Sequence, residues 1–581
     1  MGKTTGGGLL AAMLRAEGVD TVFGIPDGTY LSLLTALRDA GVRIVTPRHE
    51  TTAVHMAGAY ARLTGRLGVA LASNGPGVAN ALPGATVENA EGNRVLLLTS
   101  SRRVGITAPD RGGAYQHFDQ VAALGAVTKW STAATATGRI PELLRQALRR
   151  SFSGRPGVVH LDVPEDVLGA KTDARPVLEP ARYRRVGPLV PDPDAVERTA
   201  ELLATADLPV LHAGGGVLHA GASAALTRVA ELLHAPVTTS WSGRGAVAET
   251  NPLVWPITAI EPVRRLRHAA DVVLVVGSRL GETDWWGRPP QWRAEQRIVQ
   301  VDVDDRVFGA TRPVEVAVVA DARVFLEALA AALEHRVDAG VLERRRRRVA
   351  PLVAAREAEA AKLARRLSDV TAPMVTAHVP AICRELCDDD AIFVVDGGNT
   401  AVWANFYLQV RAPNTFLTTP HFGMLGAGVG QALGAAVARP DRQVCCIIGD
   451  GAFGMHPQEV ETAVRNGLRV VFVVVSDRQW GMVKLTQSMA ARPVKMLLRR
   501  HLDPEETINS DLGEIAYDEL ARAMGAHGER VADPAGLRTA LNRALEARCC
   551  AVVHVDVDPT KHLWAPGLRQ FRKMHQEPGG E

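Results

Sequence analysis

The sequence predicts an α/β protein made of three doubly wound parallel-sheet domains, and three observations carry that prediction. Short, fully apolar runs alternate with helix-patterned segments over residues 1–168, 190–334 and 371–558. The runs lack polar alternation, as strands buried on both faces of a parallel sheet must. Between the three stretches the periodicity lapses, first in the Pro- and Arg-rich DARPVLEPARYRRVGPLVPDPD from Asp173 to Asp194, then from His335 to Asp369.

Composition bounds the function. At 581 residues with 46% apolar content the chain has material for several cores. The 66 basic and 63 acidic residues nearly balance, so neither a nucleic-acid nor a membrane partner is expected. No stretch spans a bilayer, and the start, MGKTTGGGLLAAML, lacks the apolar core of a signal peptide. Gly2-Lys3-Thr4 lacks the upstream glycine of a P-loop and reads as a flexible start. The cysteines, Cys383, Cys387, Cys445, Cys446, Cys549 and Cys550, form no metal-type array, which points to a reduced, cytoplasmic protein.

In the first domain the strand candidates are VDTVFGIP, VRIVTP, LGVALAS, RVLLLTS and GVVHLDVP. Pro47-Arg48-His49-Glu50 ends one of them and opens a helix, which puts the Glu50 carboxylate at a strand's carboxyl end, where open α/β sheets bind ligands. By composition alone an ordinary helix-start acid fits Glu50 equally well. The central domain alternates LPVLHAGGGV, APVTTSW, ADVVLVVGSRL and RIVQVDVD with helices. Gly214-Gly215-Gly216 invites a nucleotide reading, yet His219 stands where the third glycine of G-x-G-x-x-G would fall. Trp285-Trp286 reads as surface or interface packing. The Arg-rich second linker reads as a solvated helix with intrahelical Glu and Arg pairs rather than a polyanion site.

The third domain opens with AIFVVDGGNTAVW, continues through TTPHFGMLGAGVGQALGAA, and holds the densest signal of the chain. Val444 to Ile448 leads into Gly449-Asp450-Gly451, a helix carrying Glu459 follows, and a second apolar run ends at Ser476-Asp477. A carboxylate among glycines at a strand end suits Mg²⁺ bridging to a diphosphate, and Asp477 supplies a second oxygen from the next strand end.

This order of motifs resembles the signature of the thiamine-diphosphate enzymes of the 2-oxo acid decarboxylase and acetolactate synthase superfamily. RHETTAVHMAGAYARLTG, SNGPGVAN and AYQHFDQVAALGAVTKW likewise resemble its pyrimidine-binding domain, in the same order. The resemblance runs to about Pro559 and implies pyrimidine-binding, central Rossmann-like and diphosphate-binding domains, with thiamine diphosphate and Mg²⁺ as cofactors. It leaves FAD open, since the family's central domain holds it in some members and not in others. Carried over by position, Glu50 meets the aminopyrimidine ring, and Gly75 and Gln116 face the reacting carbon. Asn399, Thr400, Gly449, Gly451 and Ala452 border the diphosphate, the Gly423 carbonyl receives the cofactor's amino group, and Leu425 props its bent form. Asp450, Asp477 and the backbone oxygen of Gln479 hold the metal. Two departures stand out: Ser476-Asp477 replaces the usual Asn-Asn, and Thr486 stands where acetolactate synthases of amino-acid biosynthesis have tryptophan. Gln479-Trp480-Gly481 instead resembles benzaldehyde lyase.

The resemblance implies decarboxylation of a 2-oxo acid, pyruvate or similar, with transfer of the acyl carbanion to a carbonyl acceptor. The chain has no adjacent pair of histidines such as dedicated decarboxylases carry, so carboligation is expected. A non-ligating decarboxylase or a benzaldehyde lyase-type lyase is the alternative, with His421 and His117 the imidazoles that would favour it. Glu50 and the metal motif lie in different domains, and the family joins them across a subunit interface, implying a homodimer or homotetramer. The basic segment 491–501, with Lys495, Arg499, Arg500 and His501, reads as a cover meeting an anionic substrate or as a solvated loop. The tail from His562 is unmatched and either folds over the site or hangs free.

Overall fold

The computed structural model describes residues 2–500, 502–568 and 577. His501 and most of the tail therefore lie outside the described residues.

Three six-stranded sheets, parallel throughout, form the framework. In the first, the spatial order is Arg43–Val45, Thr21–Gly24, Gly68–Ala72, Val95–Ser101, Val158–Pro164, Trp130–Ala133. The third repeats that winding with Phe416–Leu417, Ile392–Asp396, Val444–Gly449, Val471–Ser476, Ala551–Asp556 and His527–Val531. The central sheet runs Val254–Trp255, Val237–Thr239, Pro209–Ala213, Val272–Val276, Arg297–Asp302, Val316–Val319, the order of dinucleotide-binding folds. In each sheet the winding reverses beside the strand that comes first in the chain, and there the chain leaves adjacent strand ends in opposite directions and opens a crevice.

The strands form where the apolar runs predicted them, and Val444–Gly449 and Val471–Ser476 are buried at every position. The helix Glu50–Thr64 is capped by His49, whose Nδ1 accepts from the Thr51 N–H at 3.2 Å, and it ends at Gly65 in the left-handed region. Its face packs on the helix Ala427–Ala438. Small residues make that approach feasible, since a Cβ on Gly434 would lie 2.4 Å from the Met56 carbonyl oxygen. The first and third domains thereby share one apolar core, while the central domain builds its own.

Two sequence expectations give way. The start is not a flexible arm: Lys3–Thr5 pairs antiparallel with Lys171–Asp173, and Lys3 Nζ sits 2.6 Å from Asp173. Nothing local could announce a partner so distant in sequence. The Arg-rich linker is a helix, Ala339–Ala364, with the expected Glu343–Arg347 pair at 3.0 Å, but Arg345 is buried. Its guanidinium donates to the carbonyls of Leu233, Leu203, Ala204 and Ala206 at the ends of two central-domain helices, where the dipoles favour a cation. Trp285 packs against the central core and Trp286 lines a cleft. No helix among the described residues is long and apolar enough to cross a membrane.

Candidate active site

The crevice of the third sheet lies between the ends of Ile392–Asp396 and Val444–Gly449. Asp450 opens a short helix there and is buried. Its Oδ1 accepts from the Gly451 N–H at 2.8 Å, and its Oδ2 accepts from the Arg478 N–H at 2.8 Å and the Ser476 hydroxyl at 3.1 Å. Asp477 follows the neighbouring strand, is equally buried, and leaves Oδ2 without a hydrogen-bond partner. Burial raises the pKa of Asp450, and burial together with the Asp450 charge pushes Asp477 well above the usual carboxylate range.

Asn399 opens the helix Asn399–Tyr407 beside them, buried, with both its amide oxygen and nitrogen unpartnered. A Cβ on Gly481 would come within 2.8 Å of Asn399 Nδ2 and 3.2 Å of Asp477 Oδ2, so these unpaired groups are neighbours. A Cβ on Gly451 would strike the Trp480 ring at 2.7 Å, and one on Gly449 would sit 3.0 Å from Thr400 Oγ1. Thr400 and Ala452 are buried against the same crevice. Gln479 bridges to Asp511, but the bonds of that bridge run from Trp480 N–H to Ser510 and from Leu512 N–H to Arg478. The Gln479 carbonyl is thus outside this ladder pair. Buried carboxylates and an amide left unpaired are the donor set that a divalent cation and a phosphate would satisfy, and thiamine diphosphate with Mg²⁺ fits them. No group of three or more His, Cys, Asp and Glu among the described residues is placed to hold a metal by itself.

Gly423 and Leu425 lie on the segment between Phe416–Leu417 and Ala427–Ala438. Gly423 takes φ +67° and has open space where a Cβ would be, while Leu425 is half-buried against the shared core. Asp396 ties this segment down, accepting from the N–H groups of Gly397 and Gly428, and burial lifts its pKa to about 6.

The other residues singled out in the sequence lie in the first domain. Glu50 is buried at a helix start, with its Oε2 accepting from Asn80 Nδ2 at 3.0 Å. Gly75, φ +65°, presses on exposed Gln116, φ +53°, and the Asn74 amide reaches the Gln116 backbone and side-chain oxygens at 3.4 Å. The partners of Glu50 all lie in the first domain and those of Asp450 in the third. Tyr115 projects beside Gln116 with 74% of its surface exposed.

Sequence reasoning missed what holds these loops. Buried Gln120 accepts from the Gly75 N–H at 2.8 Å and donates to the Ser100 carbonyl at 3.0 Å and to Asp162 at 2.9 Å. Only its place four residues after Gln116 hinted at this. The basic segment is locally neutralised: Lys495 pairs with Asp503 and Glu506, and Arg492 with Glu506.

A cleft of about 1420 Å³ opens at the carboxyl end of the central sheet, above the 300–1,000 Å³ or so usual for small-molecule pockets. Gly215, Gly216, Gly277, Arg279 and Asp302 line it together with Arg155 of the first domain and His421 of the third. A Cβ on Gly214 would meet the Gly277 carbonyl oxygen at 2.1 Å, so the two strand-end loops touch backbone to backbone.

Comparison with known proteins agrees with this geometry. Residues 4–123, 196–329 and 396–555 match the N-terminal TPP-binding, central and C-terminal TPP-binding domains of thiamine pyrophosphate enzymes. The acetolactate synthase large subunit of Mycobacterium tuberculosis is 32% identical, over 95% of this chain and 96% of the relative. A 2-hydroxyacyl-CoA lyase of Oryza sativa is 30% identical, over 96% of each. A solved thiamin diphosphate-dependent enzyme from Mycobacterium smegmatis shares the fold, with a TM-score of 0.76 at 23% identity, covering 96% of this chain and 100% of that one. The chain belongs to the thiamine pyrophosphate enzyme family.

Proposed function

We propose that this protein is a thiamine-diphosphate-dependent carboligase that decarboxylates a 2-oxo acid, pyruvate or similar, and passes the acyl unit to a carbonyl acceptor, as an acetolactate synthase does. The observation that carries the cofactor reading is the buried pair Asp450 and Asp477 with unpartnered Asn399 beside them. Bound thiamine diphosphate supplies a nucleophilic carbon and an electron sink for the departing carboxylate.

The chain's own residues do the rest. Asp450, Asp477 and the Gln479 carbonyl would hold Mg²⁺, with Asn399, Thr400, Gly449, Gly451 and Ala452 bordering the diphosphate. Gly423 and Leu425 would shape the cofactor's seat. Glu50, kept from bulk water and with Asn80 on its carboxylate, would bond the pyrimidine ring nitrogen. Gly75 and Gln116 would face the substrate. The Gln116 amide donates and accepts hydrogen bonds but delivers no proton at neutral pH, which favours a carbonyl acceptor over protonation.

Because, among the described residues, Glu50 and Asp450 keep partners within their own domains, we place the complete site between subunits of a homodimer or homotetramer. The central cleft, with the strand order of dinucleotide folds and more arginines than carboxylates on its walls, is read as a site for a nucleoside diphosphate such as the ADP half of FAD. Six free cysteines fit a cytoplasmic protein. A lyase or non-ligating decarboxylase is the second reading, favoured by Thr486: it is exposed and bonds back to the Met482 carbonyl at 3.0 Å, where a tryptophan would fill space. Pyruvate incubated with protein, thiamine diphosphate and Mg²⁺ tests the proposal by product mass spectrometry. Acetolactate supports carboligation, acetaldehyde alone moves the assignment to a decarboxylase, and no pyruvate consumption removes pyruvate as donor.

A further inference from the structure

A short helix, Pro559–His562, backs the loop that carries Asp477 and Gln479. It follows the strand Ala551–Asp556 and lies past the matched C-terminal domain, which ends at residue 555. At its start the Pro559 carbonyl accepts from Gln479 Nε2 at 3.3 Å, and at its end His562 Nε2 lies 3.7 Å from Asp477 Oδ2. The helix is itself fixed. The His562 carbonyl accepts from Trp403 Nε1 at 2.9 Å, on the helix that Asn399 opens, and Lys561 Nζ reaches Asp369 Oδ2 at 2.8 Å.

His562 is buried, and its other ring nitrogen, Nδ1, sits 2.7 Å from the equally buried Thr376 Oγ1. An ionised carboxylate only accepts hydrogen bonds, so the ring turns an N–H, at Nε2, to Asp477, and the Thr376 hydroxyl donates to Nδ1. Lys484, whose ammonium also acts on Asp477, is already paired with Asp511 at 2.6 Å. Asp477 Oδ2 is left without a hydrogen bond, and the imidazole faces it.

We propose that His562 is a positioning residue of the metal site, donating to one oxygen of Asp477 so that the carboxylate is held for the cation. This rests on the thiamine diphosphate and Mg²⁺ reading of the site. Position 477 carries a carboxylate where the resemblance implies an asparagine, and the two ligands differ in what they need behind them. An amide has one oxygen to offer a metal and no charge. A carboxylate has two equivalent oxygens and a buried charge, and a donor on one of them fixes its orientation and offsets that charge. The contact, somewhat beyond hydrogen-bond length at 3.7 Å, closes to a hydrogen bond in the metal-loaded site.

The test is titration of Mn²⁺ into the full-length protein with saturating thiamine diphosphate, followed by the electron paramagnetic resonance of the free ion and repeated with Mg²⁺ by calorimetry. His562→Leu should weaken binding of both ions by about tenfold or more, and His562→Gln, which keeps an N–H donor there, should restore most of the affinity. In an Asp477→Asn background His562→Leu should change the Kd by less than about twofold, because the amide needs no donor behind it. An equal loss in both backgrounds, or a His562→Leu Kd within twofold of the parent's, overturns the positioning role. Should His562→Leu fail to fold, Thr376→Val gives the same reading: a loss confined to the Asp477 background supports the role, and an equal loss or none overturns it. Failure of the parent protein to bind either ion with thiamine diphosphate overturns the metal reading of the site and the positioning role with it.

Discussion

Gly75 and Gln116 meet backbone to backbone across two loops of the first domain: a Cβ on Gly75 would lie 2.6 Å from the Gln116 carbonyl oxygen. Both take positive φ, +65° and +53°, and Gln120 holds the Gly75 amide in place from below. Gly75→Ala should therefore cost about 1–3 kcal/mol of stability and lower kcat together, because the methyl both strains its own backbone and displaces Gln116. Gln116→Ala should lower kcat with little change in Tm. Full turnover in Gly75→Ala would remove this contact from the site.

Glu50→Gln keeps the shape of the side chain and its bond to Asn80 but removes the carboxyl. Turnover should fall by about 10²-fold or more, while calorimetry still shows thiamine diphosphate binding and the far-UV spectrum is unchanged. Activity within a few-fold of the parent would show that Glu50 is only a helix-start acid.

Asp450 and Asp477 both hold their protons more tightly in the folded, metal-free protein than an unfolded chain would. The contribution of groups raised in this way is most favourable below about pH 4, and it is lost as pH rises through their folded pKa values. Mg²⁺ competes with those protons, so its stabilising effect should grow from pH 6 to pH 8. Asp477→Asn should raise the metal-free Tm at pH 8 and shrink the Mg²⁺-induced shift. An equal Mg²⁺ shift at both pH values would argue against carboxylate ligation.

Glu91 sits in the wall of the central cleft, and burial with nearby Glu88 lifts its pKa to about 8 against the pull of Arg155, Arg62 and the His421 amide. Its folded pKa exceeds the unfolded value, so its destabilising effect builds between about pH 4.5 and pH 8 and is constant above. Glu91→Gln should match the parent's Tm near pH 5 and exceed it at pH 8, by about 2–4 °C for each kcal/mol relieved. A Tm difference that does not change with pH would place the effect elsewhere.

Much of this protein was legible in the chain because its signals are local. Apolar runs without polar alternation, as at Val444–Gly449 and Val471–Ser476, marked buried parallel strands, and Gly449-Asp450-Gly451 marked the turn that holds a carboxylate at a strand end. Periodicity and turn chemistry operate over a few residues, so one sequence suffices to read them. What the tertiary structure alone decided are meetings between distant segments: the unpaired Asn399 beside Asp477, Gln120 beneath Gly75, Arg345 buried across two helix ends, and His421 tied at once to Glu91 and Ser242. Each depends on which sheet neighbours which and how the three domains dock. That is settled by the summed burial of their cores, and no local pattern encodes it.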